Sequence, residues 1–202
     1  MTLPLALRHW SAATAGARDA VELLATDRHR GLEGTMARLG KVVGDASFLV
    51  VPIDALDQAA IERAAAAFFL AGGSARVCLA GTRAALEAVD DAAIACERIG
   101  LLLDDVTVDT PLSDLISDRI EAVRFDADFV NRAARNMRLG CALEAMLSLA
   151  RDLGLCTLGA DAVPGGGSLA GRASFDYLPS TIAPPASARL PVKRELAGAG
   201  GR

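Results

Sequence analysis

Aromatic residues make up only 4% of this 202-residue chain, with a single Trp and a single Tyr among them. That is too few for the stacking platform that single-stranded nucleic acid requires. Nor is there a basic block: 21 basic and 25 acidic side chains are spread along the sequence for a net charge of −4. Nucleic acid is therefore not an expected partner. Lysine is almost missing, with Lys41 and Lys193 the only two. The longest uninterrupted apolar run, residues 64–71, has eight members, against about 20 for a membrane span. No membrane partner is expected. No basic stretch precedes an apolar segment of signal-peptide length, which predicts a cytoplasmic protein. Histidine occurs only at positions 9 and 29, and Cys78, Cys96, Cys141 and Cys156 lie far apart without a C-x-x-C. Zinc-site spacing is absent, so the cysteines are expected to be buried free thiols, unpaired in a reducing compartment.

What is present is a core-forming composition, 52% hydrophobic and 23% charged, with a mean hydropathy of +0.33 that alanine dominates. Few prolines and this length predict one domain. Short β-branched or apolar runs alternate with helical ones. Strands are expected at 47–53, 76–79, 101–103, 122–125 and 155–158, with a sixth at 174–178. Helices are expected at 57–71, 82–99 with Thr82 as N-cap, 111–120 and 139–153 closing at Gly154. Alternation of this kind means parallel strands joined by crossover helices, and the succession of apolar strands ending at polar or small residues favours a barrel. The 164–168 segment (PGGGS) reads as a flexible loop. Residues 181–202, rich in Pro, Ala and Gly, read as a disordered tail.

In a barrel, chemistry sits at the C-terminal strand ends. The paired acids there are Asp104 and Asp105, directly after the 101–103 strand, and adjacent carboxylates can hold Mg²⁺ or Mn²⁺. Asp126 follows the next strand, with Arg124 inside it. A turn or a helix cap is the simpler role for such aspartates.

The order of these segments resembles the C-terminal half of an EAL domain, the bacterial cyclic-di-GMP phosphodiesterase family, over residues 100–178. Leu103-Asp104-Asp105-Val106 resembles L-D-D-F-G. IEAVRFDADFV (120–130) resembles V-D-x-L-K-I-D-x-S-F-V, with Asp126, Phe129 and Val130 in register. Residues 143–158 resemble A-I-x-L-A-x-x-L-G-L-x-V-V, and SFDYLPS (174–180) resembles x-Q-G-Y-L-F-S. Upstream, 48–55 and 76–82 stand where V-N-L-S and L-E-I-T-E-S belong, and LPLALR (3–8) stands for the name motif E-A-L-L-R. The resemblance implies an α/β fold, a TIM-like (β/α) barrel of the EAL type shortened at its N-terminus. Residues 1–180 would form the domain, 1–44 its divergent part.

The departures govern the functional expectation. Family members hold two divalent metals between carboxylates. Here the name-motif glutamate falls on Pro4, the asparagine ligand on Pro52, and the next glutamates on Cys78 and Gly81. The lysine becomes Arg124, two late glutamates fall on Ala160 and Val163 with Asp161 one position away, and the glutamine falls on Phe175, where it would intrude on the pocket floor. Two metals roughly 3.5–4 Å apart need several carboxylates to offset their repulsion, and two aspartates do not suffice. Arg124, permanently charged, is expected to pair with Asp104 or Asp105 where a metal would have sat. Asp104, Asp105, Arg124 and Asp126 are thus read as the remnant of the site, with no catalytic residues and no cofactor. Weak Mg²⁺ or Mn²⁺ binding at Asp104/Asp105 stays open. Arg8 would be the contact to a ligand phosphate. The implied function is an inactive EAL-like signalling domain working through protein contacts, with an unidentified partner or a homo-oligomer. A non-hydrolysing cyclic-di-GMP receptor is the alternative and an active phosphodiesterase the third reading; cyclic-di-GMP is not the expected partner. The 1–44 segment, beside a barrel edge opened by loss of the first strand, is the candidate contact region, with a merely divergent set of barrel helices as the equal alternative.

Overall fold

The computed structural model describes residues 6–12, 18–24, 32–41, 43, 46, 48–53, 58–90, 98–159 and 175–179. Eight strands, β1 (Ala6–Ala12), β2 (Ala20–Leu24), β3 (Phe48–Pro52), β4 (Arg76–Gly81), β5 (Ile99–Val106), β6 (Ile120–Phe125), β7 (Cys156–Leu158) and β8 (Tyr177–Pro179), close into a barrel in sequence order. β2 to β8 run parallel, whereas β1 is antiparallel to both its neighbours, β2 and β8. Around it lie α1 (Leu32–Gly40), α2 (Gln58–Leu70), α3 (Arg83–Glu87), α4 (Leu112–Leu115), α5 (Ala127–Ala133) and α6 (Met137–Asp152).

The two-residue period of the strands divides the core in two. One set, including Ala20, Val50, Cys78, Ala80, Leu102, Ala122 and Leu158, fills the barrel; it is rich in alanine because an eight-stranded barrel has room for side chains and little else. Phe48 and Tyr177 meet edge-on inside it at 5.6 Å, linking β3 to β8. The alternate residues, among them Leu49, Val51, Val77, Leu79, Leu101 and Val123, pack outward on the helices.

The barrel class is the one expected, but the first strand is not lost. Ala6–Ala12 closes the ring between β2 and β8, so the expected open edge is replaced by a paired strand. Only seven residues separate β1 from β2, too few for a crossover helix, and that enforces the antiparallel pairing. The 1–44 segment contributes β1, β2 and α1 to the barrel itself.

Elsewhere β3, β4 and β6 fall where periodicity puts them, and α6 ends at a left-handed Gly154 (φ 74°) as expected. Thr82 holds the N-cap position of α3 with no side-chain cap bond. The helix expected to reach residue 99 yields there to β5, which begins at Ile99. Cys78 is buried and Cys156 half-buried, but Cys141 is exposed on α6, contrary to expectation. Cys96, His29, the 164–168 loop and the 181–202 tail lie outside the described residues.

Candidate functional site at the barrel mouth

Four charged side chains from four strands meet inside the barrel. β6 brings Arg124, β5 brings Asp104, β2 brings Glu22 and β1 brings Arg8. The Arg124 Nε donates to Asp104 Oδ1 at 2.7 Å, one Nη donates to Oδ2, and the other Nη donates to Glu22 Oε1. A fork of this shape matches a carboxylate with two parallel bonds. Glu22 is almost fully buried, its side chain 4% exposed, and its Oε2 lies 3.7 Å from an Arg8 Nη. Oε2 has no hydrogen-bond partner among the described residues.

Burial pulls the Arg124 pKa down, but the hydrogen bond and charge of Asp104, joined by those of Glu22, outweigh it and raise the value above the ordinary arginine range. The guanidinium is a fixed cation. With two carboxylates and two guanidiniums the cluster sums to zero. A divalent cation wants several oxygen donors with net negative charge; both carboxylates here are already turned onto Arg124. Among the described residues no group of three or more His, Cys, Asp or Glu side chains is placed to hold a metal. Among the described residues the donor set does not fit a metal pair.

Asp104 is the acid that pairs with Arg124. Asp105 turns away: it is exposed, takes a left-handed φ of 56°, and donates its own N–H to Asp104 Oδ1 at 2.9 Å. The pairing of β5 with β6 shifts register between Leu103 and Val106, and such a bulge re-aims successive side chains. Asp126 serves local structure: its carboxylate accepts from the Phe129 N–H at 2.7 Å and caps α5. Pro52 is half-buried at the end of β3, and Cys78 lies inside the barrel, where burial and then Glu121 push its thiol up to about 12. Phe175 does not intrude on the floor of the mouth; it is buried in the outer core, edge-on to Phe125 at 5.8 Å. Pro4, Ala160, Asp161 and Val163 lie outside the described residues.

Glu22 is the site residue that sequence reasoning missed. Its signal is the alternation Val21-Glu22-Leu23: both apolar neighbours belong to the outer core, so the acid between them faces the interior. At the opposite end of the barrel a second pair, Arg76 and Glu121, lies over Gly100. The interior is thus bounded by an arginine–carboxylate pair at each end.

An eight-stranded α/β barrel with an antiparallel first strand and charged groups at its mouth is the architecture defined so far. No protein-family model matches the sequence, and no curated protein does. Solved structures do match. The EAL domain of FimX from Pseudomonas aeruginosa bound to c-di-GMP is similar with a TM-score of 0.69 at 10% identity, over 87% of each chain. The EAL domain of Mycobacterium smegmatis DcpA gives 0.64 at 18% identity, over 87% of this chain and 88% of that one. A PaMucR phosphodiesterase in complex with c-di-GMP gives 0.64 at 16%, over 87% and 89%. The chain has the EAL-domain fold. Among the described residues no helix is long and apolar enough to cross a membrane.

Proposed function

We propose that this protein is a catalytically inactive EAL-like domain that serves bacterial signalling as a regulatory protein, through contacts with other proteins. One observation carries the reading: Arg124 grips Asp104 with two hydrogen bonds and Glu22 with a third. A two-metal hydrolase works by clamping the attacking and leaving oxygens between cations held by free carboxylates. Here the acids of the mouth serve a guanidinium that is part of the chain. That guanidinium cannot give up its proton to vacate them. The remaining family positions on described strands, Pro52, Cys78 and Gly81, supply no oxygen donor from a side chain. Hydrolysis loses its constellation, and what is left is a folded surface.

A second reading, a receptor that binds cyclic-di-GMP without cleaving it, draws support from Arg8. Its side chain is 33% exposed beside Glu22, and a guanidinium is a natural phosphate partner. Titration with cyclic-di-GMP, with and without Mg²⁺ or Mn²⁺ and with product assayed in the same tube, separates the readings. No binding and no linear dinucleotide supports the regulatory domain. Saturable binding without product, weakened by Arg8→Ala, moves the assignment to the receptor. Product that disappears in Asp104→Ala overturns both.

A further inference from the structure

The paired helices α1 and α2 carry on their outer face an open groove of about 490 Å³. It is lined by the alanines Ala37 on α1 and Ala66 and Ala67 on α2, together with Glu33 on α1, Lys41 directly after it, and Arg63 and Leu70 on α2. Leu70 is 89% exposed, the most exposed large hydrophobic among the described residues. We infer that this face is where a second copy of the chain docks, about a two-fold axis passing beside Ala37 and Ala66.

The arrangement of unlike ends about small centres carries the inference. Glu33 on α1 and Lys41, in the turn directly after its last residue, are eight positions apart with Ala37 midway. Arg63 and Leu70 are seven apart, with Ala66 and Ala67 between them. A two-fold axis at the alanines reverses each helix onto its copy. Lys41 then faces Glu33 of the second copy, and Leu70 lies along the aliphatic stem of Arg63 of the second copy. Each contact occurs twice, as an isologous interface demands. Alanine at the crossing lets the helices approach closely.

The charges are available for this. Lys41 has no ion-pair partner among the described residues, and Glu33 meets Arg63 only at 3.8 Å, with both side chains at least 60% exposed. The two helices are also closely packed against each other. Gly40 brings α1 so close to α2 that a Cβ there would overlap the carbonyl oxygen of Phe68, and a preorganised surface loses less freedom on docking.

Sedimentation velocity on the full chain, from about 1 to 100 µM, tests the proposal. A monomer–dimer equilibrium is expected, abolished by Leu70→Arg, which sets two guanidiniums face to face at each end, with the circular-dichroism melt unchanged. Glu33→Lys alone and Lys41→Glu alone should each weaken self-association by about tenfold, because like charges then face each other twice. Mixing those two variants should restore the dimer, since every cross-copy pair becomes opposite again. A chain monomeric throughout the range, a dimer indifferent to Leu70→Arg, or variants that fail to associate on mixing would each overturn the inference. None of these outcomes bears on the barrel mouth, so the functional proposal is tested separately.

Discussion

Arg124 lies side-on to Asp104, its Nε 2.7 Å from Oδ1 and a neighbouring Nη on Oδ2, so one residue of β6 and one of β5 are locked by two parallel bonds. The third bond, to Glu22, reaches β2 across the barrel. One guanidinium ties three strands together.

Removing it leaves two negative charges with little access to water, because Glu22 is 4% and Asp104 17% exposed. Breaking a buried pair in this way costs about 3–5 kcal/mol. Arg124→Ala should lower the urea midpoint accordingly, and Arg124→Lys should lose less because the charge is kept. A loss below about 1 kcal/mol, the range of exposed pairs, would show that the pair is not confined.

The same substitution should change the response to metal. Mn²⁺ is expected to leave the melting temperature of the natural protein unmoved and to raise that of Arg124→Ala, where Glu22 and Asp104 lose the guanidinium between them and only Arg8 stays beside Glu22. Ligand that binds only the folded state stabilises by mass action, about 2.7 kcal/mol at a hundredfold excess over Kd. A metal-dependent shift of equal size in both proteins would contradict the account.

Two glycines of α1 should behave oppositely. Gly40→Ala drives a methyl into the Phe68 carbonyl and against Ala71, an overpacking that costs about 1–3 kcal/mol. Gly34 is exposed, and a Cβ added there would meet nothing within 4 Å, so Gly34→Ala should stabilise by up to about 1 kcal/mol through helix propensity. Paired denaturation curves of the two variants check the sign of each.

Cys78 sets an alkaline limit. Its thiol is pushed from 9.0 to about 12, first by burial. The fold favours the protonated form, so this contribution is fully present below pH 9 and is lost as pH rises from there toward 12. Stability of the natural protein should fall more steeply over that window than that of Cys78→Ala. At about pH 8 a thiol reagent should modify exposed Cys141 at once and Cys78 only on unfolding.

Local pattern determined a good part of this protein. The β-branched run at Phe48–Pro52, the alanine-rich α2 and the amphipathic α6 are legible because each carries its own period, and the Asp104–Arg124 candidates follow from strand ends. The antiparallel β1 is not legible: Ala-Leu-Arg-His-Trp-Ser-Ala holds no β-branched residue, and its strand state comes from pairing with β2 and with a strand near the other end of the chain. Asp126 and Asp105 read as site residues until the α5 cap claims one and the β5 bulge turns out the other. Glu22 meets Arg124 across 102 positions of sequence. Periodicity records which face of an element is apolar, whereas the closing of a ring decides which polar residues of distant elements share its interior, and that decision is made only when the barrel forms.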